Sequence, residues 1–409
     1  MRDIYTSIDI GTDSVKIVVA ERFNGVYNIL ASAIESASGV KKGLIVDGNM
    51  LSVSLKKAIK SIESKLNVKI TKAIAIVPSN NMEIVSTSGN LIIKEEDNVI
   101  NGNQIFSCMQ RAMTKSLKTG MEVVSVFPNE FIIDKKIRTL SPLGKKGNNL
   151  SVKAIVTLVP KKNVYSVVSL IESLGIEVMD IALGSCSDYY VNKTPTLDKK
   201  EVAVINIGTE KTDISIFSDG IIKESCILPV GGKFIDTDIV NTYGVDINRA
   251  KTIKETFAVC NRKYADYDEV YRCKVYDNDV EISQYKLSEL IEMRIIDLLK
   301  NAKIQLNNLT NDKIGYIIVT GGVTSMLGFN AIVEDVFVRG ATVLNIGVVG
   351  VRDNRFSSCY GSIKYFCSKL DLRDKEYSMF SSDDIDALLS TRRKIGNNTI
   401  GKFFGKLFD

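Results

Sequence analysis

Ser7-Ile8-Asp9-Ile10-Gly11-Thr12-Asp13-Ser14-Val15-Lys16-Ile17-Val18-Val19 runs an apolar strand into a Gly-Thr turn and out again along an alternating one. This is the pattern of a β-hairpin. Far down the chain, Ala203-Val204-Ile205-Asn206-Ile207-Gly208-Thr209-Glu210-Lys211-Thr212-Asp213-Ile214-Ser215-Ile216-Phe217 repeats it, with Gly208 over Gly11 and Thr209 over Thr12. Each copy ends in a second turn signal, Asn24-Gly25 and Asp219-Gly220. Either Gly-Thr turn alone reads as a plain hairpin; the matched duplication gives them meaning. Glycine lets backbone N–H groups approach phosphate oxygens, small hydroxyls add donors, and an acidic residue before the turn can hold a hydrated Mg²⁺. Two such turns facing each other make a clamp for a nucleoside polyphosphate.

Tyr316-Ile317-Ile318-Val319-Thr320-Gly321-Gly322-Val323 adds a buried strand that runs into a glycine pair, followed by Met326-Leu327-Gly328-Phe329 and a helix. Paired glycines there give an adenine ring room to approach. Candidate nucleotide-binding residues, for ATP on the resemblance given below, are Asp9, Gly11, Thr12, Ser14 and Lys16 on the first turn, and Gly208, Thr209, Glu210, Lys211 and Thr212 on the second. Gly321, Gly322 and Ser325 form the third wall. The metal candidates, for Mg²⁺, are Asp9 and, through water, Asn206.

The whole chain sets limits on this chemistry. At 409 residues and 45% hydrophobic content it exceeds one compact core. No apolar run approaches the roughly 18 to 20 residues that span a bilayer, and Asp3 and Asp9 interrupt any leader-like stretch, so a cytoplasmic protein is expected. Seven scattered cysteines suit reduced, buried thiols. A net charge of +5 without a basic stripe argues against nucleic acid. The absence of histidine closes Ser/His/Asp and histidine–zinc chemistry.

The order of two phosphate hairpins followed by a Thr-Gly-Gly turn resembles the actin/Hsp70/sugar-kinase superfamily, and within it the FtsA family of bacterial division proteins. Gly43-Leu44-Ile45-Val46-Asp47, followed by a helix near Ser52 to Lys65, looks like the family's first-lobe helix and the strand before it. Ser88-Gly89-Asn90-Leu91-Ile92, Val126 to Asp134, Ser141-Pro142-Leu143-Gly144 and Leu150 to Ala154 resemble the extra subdomain that sets the FtsA-like and PilM-like branch apart from actin, MreB and Hsp70. Pro229 to Ile239 looks like the entry to the second lobe, and Ala250-Lys251-Thr252-Ile253-Lys254 like the nucleoside-contacting helix, which adds Lys251 and Lys254 to the site.

The resemblance implies an α/β, actin-like two-lobe fold, a duplicated ribonuclease H-like core. Its expected parts are 1–80 with 159–199 as first-lobe core, 81–158 as the insert, 200–228 with 310–370 as second-lobe core, and 229–309 as the outer subdomain. Beyond these come a flexible linker over 371–396 and an amphipathic helix over 397–409. Three features depart from the family pattern: Asn206 stands where an acidic residue is usual, Lys251 replaces a glutamate, and the second turn is poorer in glycine. Asparagine supplies no charge to a metal, so at most slow ATP hydrolysis is expected.

In the tail, Ile400, Phe403, Phe404, Leu407 and Phe408 share one helical face, with Lys402 and Lys406 beside it. That is the pattern of an interfacial anchor on anionic lipids. The resemblance implies a peripheral protein at the division septum that binds the C-terminal peptide of FtsZ, polymerises with itself and recruits other division proteins. A PilM-like pilus assembly protein, or a superfamily enzyme such as a sugar kinase or exopolyphosphatase, would share the fold.

Overall fold

The computed structural model describes residues 2–94, 97–276, 278–338 and 340–388. The first hairpin pairs Asp3–Ile10 with Ser14–Phe23; Val26–Ser36 adds a third antiparallel strand, and Lys72–Val77 and Glu177–Leu183 extend the other side in parallel. The second hairpin builds the same sheet again. Val202–Ile207, Thr212–Ser218 and Ile221–Leu228 run antiparallel, and Tyr316–Thr320 and Ala341–Val343 follow in parallel. The registers match residue for residue: Asp9 faces Lys16 and Ile10 faces Val15 in one, Asn206 faces Asp213 and Ile207 faces Thr212 in the other. Both Asx-Gly turns are left-handed, with φ of 49° and 77° at Asn24-Gly25 and 53° and 74° at Asp219-Gly220, as two-residue hairpin loops require.

Helices cover the sheets through apolar stripes at helical spacing. Gly48–Leu66 buries Leu51, Leu55, Ala58, Ile59 and Ile62 in the first core. It starts before Ser52 because the Asp47 carboxylate accepts the Asn49 and Met50 N–H groups, each at 3.0 Å. Gln284–Leu309 buries Leu287, Ile291, Ile295, Leu298 and Leu306 in the second core. Between these two helices in the sequence, Glu83–Ile92, Asn149–Pro160, Met121–Ile133 and Ile137–Thr139 form a separate antiparallel sheet in that spatial order. Helix Gly102–Ser116 packs on it around its own core.

The two lobes are joined by two crossing helices, Gly184–Val191 and Ser357–Asp371. The crossing is backbone to backbone: a Cβ placed on Gly361 would stand 1.8 Å from the Ser187 carbonyl oxygen.

The expected flexible linker is corrected as far as residue 388. Residues 382–388 are helical, and Met379, Phe380 and Leu388 are buried in the first-lobe core. The reason lies in the first sheet, where Asp3–Ile10 pairs with Lys72–Val77 only at Ser7 and Ile8. The open backbone of Ile4 is therefore taken up by this segment: Met379 N–H donates to Ile4 O at 2.9 Å, and Ile4 N–H donates to Ser378 Oγ at 3.1 Å. Charged composition hid these few apolar anchors. The membrane-binding candidates Ile400, Lys402, Phe403, Phe404, Lys406, Leu407 and Phe408 lie outside the described residues. Among the described residues, no helix is long and apolar enough to cross a membrane.

Candidate functional site

The two Gly-Thr turns face each other across a cleft of about 530 Å³ between the lobes. Each is closed by the same hydrogen bond: Gly11 N–H donates to Ser14 O at 3.0 Å, and Gly208 N–H donates to Lys211 O at 2.9 Å. Gly321 and Gly322 form part of the same wall, with Ser325 Oγ donating to Gly322 O. Every nucleotide candidate lines this cleft except Glu210 and Thr212. Those two are corrected. Thr212 is fully buried and its hydroxyl donates to Val230 O at 2.8 Å, while Glu210 accepts from Lys42 N–H and Lys233 Nζ, both at 2.7 Å. Strand alternation turns Thr212 inward, so a hydroxyl near the turn is not by itself a cleft donor.

The cleft cations are all matched by carboxylates. Lys16 Nζ lies 2.8 Å from Asp9, Lys211 3.0 Å from Asp213, Lys251 2.5 Å from Asp13 and Lys254 2.6 Å from Asp236. Burial raises the Asp236 carboxyl above its ordinary value, and Lys254 opposes that shift. The Lys251–Asp13 pair joins the second lobe to the first, as do Ser79 Oγ to Asp213 at 2.6 Å and Lys42 N–H to Glu210. Lys251 and Asp13 are each about a third exposed, so water screens the pair and its worth is about 1 kcal/mol or less. Lys251→Glu, which restores the family residue and places like charges together, is expected to raise amide exchange a few-fold at residues 11–14 and 247–256. Unchanged exchange there would show that the pair does not hold the lobes.

Arg355 and Asp188 escaped the sequence reading, and Gly231 and Gly232 were read there only as part of the entry to the second lobe. Arg355 lies against Gly322 on the cleft wall and is held by Asp353 at 2.6 Å; the Asp-Asn-Arg run ahead of a helix was its only signal. Gly231 and Gly232 carry the chain against the second turn: Gly232 N–H donates to Gly208 O at 2.9 Å, and a Cβ on Gly231 would sit 2.3 Å from that oxygen. Asp188 is fully buried on helix Gly184–Val191. It accepts from Asn206 Nδ2 at 2.6 Å, Ser357 Oγ at 2.7 Å and Ser358 Oγ at 2.9 Å. Burial pushes its carboxyl up to about 6 from 3.8, against those three hydrogen bonds and helped by the nearby Asp9 charge.

Three observations fit the site to a nucleotide. Gly231 and Gly321 let their segments pack against the second turn, since a Cβ on either would stand 2.3 Å from one of its backbone oxygens, and Gly321 lines the cleft. Ser185 is part of the cleft lining, with its hydroxyl buried. Asp9 and Asn206 offer two oxygen ligands from facing turns, and no group of three or more acidic, cysteine or histidine side chains forms a metal cluster among the described residues. That donor set suits Mg²⁺ carried mainly by phosphates and water.

Family models match over more than half the chain: "Cell division protein FtsA" at residues 203–361 and "SHS2 domain inserted in FTSA" at residues 79–158. The cell division protein FtsA of Bacillus subtilis is 26% identical over 381 residues, covering 91% of this chain and 86% of that protein. FtsA of Staphylococcus epidermidis is 28% identical over 363 residues, covering 88% and 78%. Among solved structures, the PilM–PilN type IV pilus biogenesis complex matches with a TM-score of 0.58 at 11% identity, covering 87% of this chain and 96% of that one. MreB5 of Spiroplasma citri bound to ADP matches at 0.52 and 13% identity, covering 91% and 99%. These structural likenesses establish an actin-like fold. With matching models on both the second lobe and the insert, the chain belongs to the FtsA family of cell division proteins.

Proposed function

We propose that this protein binds Mg²⁺–ATP between its lobes, polymerises, and holds FtsZ at the inner face of the cytoplasmic membrane, where it recruits other division proteins. The observation that carries the nucleotide part is the duplicated turn geometry, with Gly11 and Gly208 closing equivalent hairpins on one cleft. On this reading, backbone N–H groups of both turns and the lysines Lys16 and Lys211 meet the phosphates, Asp9 and Asn206 hold metal-bound water, and the Gly321-Gly322 turn with Arg355 flanks the base. The bound Mg²⁺ neutralises phosphate charge. Asn206 is neutral, so hydrolysis stays below about 1 per second and the nucleotide acts on assembly more than as fuel.

Membrane attachment rests on the 400–409 sequence and on multivalency. One short apolar helix binds weakly, and aligned copies in a filament gain avidity without new contacts. Full-length protein with ATP is expected to pellet with anionic liposomes and bring FtsZ with it. Deletion of residues 400–409 is expected to lower the bound fraction about tenfold or more. Unchanged pelleting would overturn the tether and favour a PilM-like assembly role.

A further inference from the structure

Asn206 poses a chemical question that its hydrogen bonds answer. The side chain stands on the second turn opposite Asp213 and beside Thr320, at the position where the first turn carries Asp9. Its amide nitrogen is 2.6 Å from Asp188 Oδ2. A carboxylate only accepts, so this contact fixes which end of the amide points where. The nitrogen faces Asp188, and Oδ1 faces the cleft wall, where a Cβ on Gly321 would stand 2.9 Å from it. The other Asp188 oxygen is held by the hydroxyls of Ser357 and Ser358, and the Ser357 hydroxyl is 3.2 Å from Thr320 Oγ1. The first-lobe side of this group, Gly184–Val191, and the second-lobe turn are thus tied through one fully buried carboxylate.

We propose that Asp188 is the positioning residue for the metal-facing side of the second turn: the charge missing at Asn206 sits one hydrogen bond behind it, and orients the Asn206 carbonyl oxygen toward the Mg²⁺-bound water. This deepens the nucleotide assignment above and rests on it. The arrangement is a transposition. An aspartate at position 206 would supply its own oxygen and charge; here an asparagine supplies the oxygen, and Asp188 supplies the charge that polarises the amide. What only an acceptor at position 188 can do is keep the Asn206 nitrogen out of the cleft.

The pair predicts a pattern across three variants. In Asp188→Asn, the new amide can turn its nitrogen to Asn206, which flips and presents N–H to the metal site. In Asn206→Asp, two carboxylates are placed 2.6 Å apart in a buried setting, and repel. In the double exchange Asp188→Asn/Asn206→Asp, the amide introduced at position 188 keeps both serine hydroxyls on its oxygen and donates its nitrogen to the carboxylate introduced at position 206. Every bond is then remade with the charge on the turn.

The test titrates a fluorescent ATP analogue into full-length protein in Mg²⁺ and in EDTA, and reads the ratio of the two affinities; a parallel melting series without nucleotide checks the pair itself. The expected result is a Mg²⁺ enhancement in the wild type that falls on the order of tenfold or more in Asp188→Asn and returns in the double exchange. Asn206→Asp alone is expected to melt below both the wild type and the double exchange. An Asp188→Asn protein with the wild-type Mg²⁺ ratio, or a folded double exchange that fails to recover it, overturns the proposal. If the wild type binds the analogue in neither buffer, the nucleotide assignment falls and this role of Asp188 with it; wild-type binding with an unchanged variant ratio removes only the role.

Discussion

Gly361→Ala is expected to cost the fold about 2 kcal/mol or more, read as a lower urea midpoint with an unchanged slope. Two effects oppose each other. Alanine in a helix interior gains about 1 kcal/mol over glycine by propensity. Against it, the added Cβ would meet Ser187 O at 1.8 Å and Ser187 C at 2.5 Å, both backbone atoms of the crossing helix, with Val191 Cγ2 at 3.1 Å. No rotamer change relieves a backbone clash, so the two helices must separate, and a separation there also pulls at Asp188, the next residue after Ser187. The loss would take a sizeable share of a typical stability of about 5–15 kcal/mol. Gly184→Ala is the control in the same helix pair: its Cβ would meet only Ser358 Oγ at 3.4 Å and Ile76 Cγ2 at 4.0 Å, and a near wild-type midpoint is expected. If Gly361→Ala unfolded at the wild-type midpoint, the close crossing could not be what fixes the lobes.

The hairpins were legible because their information is local. Period-two alternation, a Gly-Thr turn and an Asx-Gly turn each act within a few residues, and the duplication repeated all three in the same register. Asp188 was not legible. Its helix is buried along its whole length, so it carries no amphipathic stripe, and its partners Asn206, Ser357 and Ser358 come from distant strands and helices. The three departures from the family pattern could be seen, but not the partners of two of them: Lys251 reaches Asp13 in the other lobe, and Asn206 leans on Asp188. Glu210 and Thr212 were misplaced for the opposite reason, since nearness to a turn in sequence says nothing of which face a side chain takes. The segment from Asp371 onward was read from its charge alone, whereas two or three apolar side chains and an unpaired strand backbone decided its packing.

Gly321→Ala is expected to reduce nucleotide affinity on the order of a hundredfold while Gly322→Ala changes it only a few-fold, although the two glycines are adjacent on one cleft wall. Gly321 has φ 104° and ψ 169°, a region open to glycine almost alone, and an alanine there carries about 1–3 kcal/mol of strain. Its Cβ would also stand 2.3 Å from Ile207 O and 2.9 Å from Asn206 Oδ1. Relief requires moving the second phosphate turn or the Asn206 oxygen, the two features that the proposed site needs held still. Gly322 has no such backbone constraint, and its Cβ would meet only Arg355 Cγ at 3.3 Å and Cδ at 3.5 Å, atoms of a side chain that can shift. Analogue titration of both variants, with melting curves to confirm folding, separates the effects. Equal losses in the two would mean that steric filling of the base side matters and the turn geometry does not. A selective loss in Gly321→Ala, larger in Mg²⁺ than in EDTA, would place the damage at the Asn206 oxygen, because the added Cβ would press on that oxygen directly.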